Sequence, residues 1–199
     1  MTTTVSALYD DYGAAKSAVD ALEAAGISRS DISIVANNVD NRYVVDRPSN
    51  AAADAGTGAG LGVVVGGAGG LLAGLGMLAI PGVGPVVAAG WLIATAAGAA
   101  AGAVVGGAAG GIIGSMTEAG VDERDAHFYA EGVRRGGTLV AVRANDAQVA
   151  SVRSILERYE HVDPRTRAAL YQQSGWRSFD ETRDPYTAEE IAAERERLR

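Results

Sequence analysis

The chain has no cysteine and a single lysine, Lys16, among its 199 residues. The missing cysteine excludes disulfides, thiolate metal sites and thiol catalysis. With no other lysine, the glycine-rich middle of the chain holds no phosphate loop of the G-x-x-x-x-G-K-[ST] type. Histidine is almost as scarce: His127 and His161 are the only two. The start, Met1-Thr-Thr-Thr-Val, lacks a basic region followed by an apolar one, so no secretory signal is expected. The largest lack is of charge. From Ala55 to Thr117 there are 63 consecutive residues without Asp, Glu, Lys, Arg or His. The flanks carry all of the net −7, with −4 in residues 1–54 and −3 in residues 118–199. A mildly acidic chain with no basic patch is a poor match for nucleic acid.

What fills the uncharged stretch is glycine, 20 of the 27 in the protein. Gly58, Gly62, Gly66, Gly70 and Gly74 recur at every fourth residue. Gly98, Gly102, Gly106, Gly110 and Gly114 repeat the pattern after Pro81, Gly82, Gly84 and Pro85. Residues four apart share one face of a helix, and a stripe of small residues lets two helix backbones approach closely. The spacing predicts a glycine-zipper helical hairpin, Ala55–Ala79 and Val86–Thr117, turning at Pro81–Pro85. The first 25 residues reach roughly 37 Å at ~1.5 Å per residue, enough for a hydrocarbon core of about 30 Å. Two settings fit such a hairpin. One is insertion in, or contact with, the cytoplasmic face of the inner membrane. The other is a cytoplasmic soluble assembly, a ring, cage or filament, with the hairpins bundled inside.

The flanks read as mixed α and β. Thr4–Leu8 and Asp31–Ala36 suit strands on either side of a helix that Asp10 or Asp11 caps and Gly26 ends. Asp122 caps a second helix that closes at Gly136-Gly137, with acidic groups first and Arg134 and Arg135 last, as the helix dipole prefers. Thr138–Ala144 is the clearest strand, a helix from Asp146 to about Tyr159 follows, and His161–Asp163 suits a short last strand. The order predicts an α+β fold, a ferredoxin-like split βαβ domain with the hairpin inserted. It divides into residues 1–54 (first half and linker), 55–117 (hairpin), 118–163 (second half) and 164–199 (polar tail with a terminal helix). The tail is expected to wrap or pack on a partner subunit, anchored by Trp176, Phe179 and Tyr186, with a mostly disordered tail as the alternative.

No catalytic, cofactor or metal residues emerge. His127 and Glu131, four apart, read as a surface pair, and Arg134-Arg135 as dipole and salt-bridge groups. An enzyme or small-ligand sensor in the ferredoxin-like part would rest on fold analogy alone. The expected partner is a second copy of the chain, with membrane lipid beside it, and neither nucleic acid nor a small-molecule substrate.

I-P-G-V-G-P-V-V-A-A-G (Ile80–Gly90) and G-V-D-E-R-D-A-H-F-Y-A-E-G-V-R-R-G-G-T-L-V-A-V (Gly120–Val142) closely resemble bacterial general-stress proteins with a YflT-type heat-induced stress domain. The N-terminal βαβ unit and the tail P-Y-T-A-E-E-I-A-x-E-R resemble that family too. The resemblance implies a bacterial, cytoplasmic, stress-associated and non-enzymatic protein, and it supplies no catalytic residues.

Overall fold

The computed structural model describes residues 2–41, 76–95 and 111–198. Five strands, all antiparallel to their neighbours, form one sheet in the order β1-β5-β2-β4-β3. They are β1 (Thr2–Tyr9), β2 (Ile32–Asn37), β3 (Gly76–Ile80), β4 (Gly84–Gly90) and β5 (Thr138–Asn145). The helices are α1 (Tyr12–Ala24), α2 (Ile112–Glu118), α3 (Glu123–Arg134), α4 (Val149–Arg158), α5 (Pro164–Gln173) and α6 (Ala188–Arg197). Residues 91–95 are also helical.

Alternation along each strand gives the sheet two buried faces. Ala7, Val140, Ile34 and Ala89 are register partners across β1, β5, β2 and β4, and all face α1 and α4. The next row, Leu8, Leu139, Val35 and Ala88, faces the other way, toward α2, α3 and the tail. Because both faces are covered, β2 and β5 read as nearly continuous apolar runs rather than as polar–apolar alternations. β1 and β2 run parallel with β5 between them, and α1 joins them over one face. After α4 the chain returns to the outer edge of β1. There Val162 N–H donates to the Leu8 carbonyl at 2.8 Å and His161 bridges Tyr9.

Two expectations from the sequence are corrected. Residues 76–80 and 84–90 are strands of this sheet, not the end of one zipper helix and the start of another. The cause is local. Pro81-Gly82 makes a tight turn in which Val83 N–H donates to the Ile80 carbonyl at 3.0 Å and Gly82 takes φ +71°. Pro85 cannot serve a helix interior, and β-branched Val86 and Val87 suit a strand with both faces buried. The turn is confined to Pro81–Val83, and strands, not helices, flank it. Gly84 and Pro85 open β4. The second correction is smaller: α4 starts at Val149 with Gln148 at its N-cap and no side-chain cap, and Asn145 accepts from the Ala147 and Gln148 amides, 3.1 Å each, in the turn before it. Gly58, Gly62, Gly66, Gly70, Gly74, Gly98, Gly102, Gly106 and Gly110 lie outside the described residues. Gly114 lies in α2.

Candidate functional site

The densest polar cluster among the described residues sits at the C-terminal end of α3. Asp122 caps the start of this helix, its carboxylate accepting from Arg124 N–H at 2.9 Å. At the other end Gly136 adopts φ +97°, which lets its own amide reach the Val133 carbonyl (3.0 Å) and the Gly137 amide reach the Gly132 carbonyl (2.9 Å). The chain then enters β5 at once. That geometry pins Glu131, Arg134 and Arg135 under the tail, at 1%, 3% and 6% exposure.

Charges so deep require partners. Arg135 has them on three sides. Its Nε donates to Glu131 Oε1 at 2.6 Å, its Nη1 to Glu194 Oε1 at 2.8 Å and its Nη2 to Ser174 Oγ at 3.3 Å. Its guanidinium also lies 4.3 Å from the Tyr171 ring centre. Burial works against its charge, but hydrogen bonds to Glu194 and Glu131 outweigh that and raise its pKa above the ordinary arginine value. Arg134 donates to the Asp184 carbonyl at 2.8 Å, lies 3.5 Å from Glu131 Oε2, and stacks 4.7 Å from the Tyr186 ring centre.

These contacts tie residues 164–198 onto their own chain. Arg167 grips Asp10 with two hydrogen bonds, 2.7 and 2.6 Å. Arg195 reaches Asp40 (3.2 Å) and the Gly136 carbonyl (3.1 Å). The tail's own helices start cleanly. Asp163 caps α5, which has Pro164 in its first turn, and Thr187 and Glu190 form a reciprocal capping box at α6. Trp176 and Phe179 are buried in the same apolar cluster as Phe128, and Tyr186 stacks on Arg134. The three expected aromatic anchors do anchor, and their surface is within the same chain. Burial pushes Tyr171 up to about 12, and it pushes Tyr129 up to about 12 with help from Asp125.

His127 and Glu131 do not pair. Glu131 is drawn inward to the arginines, and the Nε2 of His127 instead lies 3.9 Å from Glu123. His127 Nδ1 accepts the Phe179 amide at 3.2 Å. The ring faces a cavity of about 820 Å³ walled by Ile80, Ile112, Ile113, Val121 and Phe179, with Glu123 at its rim. Sequence reasoning missed the Glu131–Arg135–Glu194 hub and the Asp10–Arg167 pair. Only the i,i+4 spacing of Glu131 and Arg135 was visible, because Glu194 and Arg167 are joined by the fold and not by sequence. Among the described residues no three acidic or histidine side chains gather as a metal site. No described helix is long and apolar enough to cross a membrane.

The class is thus a mixed α+β protein with a five-stranded antiparallel sheet, covered on both faces and strapped by its own tail. Residues 4–81 match the family described as the heat induced stress protein YflT domain, which supports the resemblance to that stress-protein family. The matched span runs from β1 to the β3–β4 turn, so it takes in the N-terminal unit and only the edge of the Ile80–Val142 motif. No curated protein and no solved structure matches the chain.

Proposed function

We propose that this stress-associated chain is a non-enzymatic structural protein that assembles with copies of itself through its glycine runs. The observation that carries the reading is where the uncharged stretch meets the fold. Its described parts, residues 76–95 and 111–117, are built into the sheet and onto α3 instead of standing apart. The two glycine runs are therefore connected to a platform that the tail holds rigid. The platform itself reads as ferredoxin-like, supported by β5 lying between parallel β1 and β2, by α1 and α4 sharing one face, and by the return of residues 161–162 to β1. In this reading the β3–β4 hairpin extends the sheet, and α2, α3 and the tail cover its second face.

The charged residues of the hub fit this role, since each is spent on another part of the same chain. The test is the mass of the particle formed by the intact protein without detergent, for wild type, Gly66→Leu and Gly106→Leu. A particle much larger than one chain, lost in either variant, supports the reading. A monomer in all three overturns it. Recovery of the wild type only with membranes, resistant to alkaline wash, would assign the glycine runs to lipid instead.

A further inference from the structure

We propose that His127 is a pH-operated latch for the strap formed by residues 176–186. The strap crosses α3 and lies directly on the β3–β4 turn: a methyl group placed on Gly82 would stand 2.7 Å from Glu181 Cα. Between the buried anchors Trp176 and Phe179 and the stacked Tyr186 runs a stretch of exposed residues that includes Arg177, Asp180 and Arg183. Its tie to the imidazole is the bond from Phe179 N–H to His127 Nδ1, 3.2 Å long. An imidazole can accept there only while that nitrogen is unprotonated. Imidazole is also the side chain that ordinarily changes charge between about pH 5 and 8.

The surroundings decide what protonation does. On its own helix the ring faces Glu123, 3.9 Å from Nε2, while Glu131 is committed to Arg135. The strap brings Asp180 and Glu181 to the cavity that the ring lines. Asp180 is occupied locally, accepting the Thr182 amide at 2.9 Å and its hydroxyl at 2.6 Å. From α2 and the β3–β4 turn only uncharged residues line this cavity. A protonated ring is therefore welcomed at Nε2 by Glu123, while its new Nδ1–H points at the Phe179 N–H. The charge is held by α3, and the strap backbone loses its acceptor. Acidification loosens residues 176–186 while the ionic hub at Arg135, bonded to both Glu131 and Glu194, keeps α6 in place. This holds whether or not the chain assembles with itself.

The experiment is hydrogen exchange of the full-length protein at pH 8 and pH 5, corrected for the intrinsic pH dependence of exchange and read on the peptide covering 176–186. The expected result is a gain in corrected exchange of about fivefold at pH 5, the factor one net hydrogen bond carries, with the α1 peptide unchanged. In His127→Gln, whose amide oxygen can accept the same N–H and does not titrate, the gain disappears. In His161→Gln it persists. Equal protection of the wild-type strap at both pH values overturns the proposal, even if the glutamine variant fails to fold. The same acid response in His127→Gln overturns it as well.

Discussion

Arg135 ties three parts of the fold together. It joins α3 to α6 through Glu194, to the end of α5 through Ser174, and to Tyr171 by stacking. Arg135→Ala would leave Glu131 with Arg134 alone and Glu194 with Arg197 alone, so a loss of about 1–3 kcal/mol is expected in denaturant unfolding. Arg135→Lys keeps the charge but cannot span both carboxylates, and its loss should be smaller. The buried tyrosines give a pH prediction of definite sign. Tyr129 and Tyr171 hold protons to about pH 12 in the fold, above the ordinary tyrosine value of about 10. Their contribution is complete below about pH 10 and is lost as pH rises toward 12, because the unfolded chain gives up those protons first. The tyrosinate absorbance of these two buried side chains should therefore appear together with unfolding in that window. Smooth titration of all tyrosines with the fold intact would contradict the burial described. At this scale the sequence was legible where the partner is near. The Asp122 cap and the closure at Gly136-Gly137 could be read directly, while the pairing of Glu131 with Arg135 depends on an arginine held in place by Glu194, 59 positions beyond it.

Among the elements, α6 depends on the corner that ends α3. A methyl group on Gly136 would stand 2.5 Å from Ile191 Cγ2, and the backbone there has φ +97°. Gly136→Ala is expected to cost roughly 1–3 kcal/mol and to raise proteolysis within α6 before the sheet unfolds. Unchanged protease resistance would mean that α6 is held without this corner. The strands and helices of the two flanks followed from caps and periodicity, which act over a few residues. The β3–β4 hairpin did not. An uncharged run of Gly, Ala and Val has no polar face, so its period is silent on whether helix or strand forms. The choice falls to Pro81-Gly82, which turns the chain too tightly for two helices, and to β2, whose edge pairs with β4 from Ser33↔Gly90 to Asn37↔Val86. That second cause is tertiary and absent from any local window.

At the scale of the whole molecule, the tail closes the fold on itself. By closing on its own chain through Asp10–Arg167, Arg135–Glu194 and Asp40–Arg195, it covers the second face of the sheet and leaves the glycine runs as the segments proposed to bring copies together. The family match, residues 4–81, takes in the first glycine run and ends at Pro81, and nine of the ten striped glycines lie outside the described elements. The direct measurement is the molar mass of the intact protein in detergent-free solution by size exclusion with light scattering, beside Gly66→Leu and Gly106→Leu. The account predicts a discrete wild-type particle of many chains that both variants reduce toward the 20.2 kDa of one chain. A wild type already at that mass, or variants that keep the full particle, would contradict it.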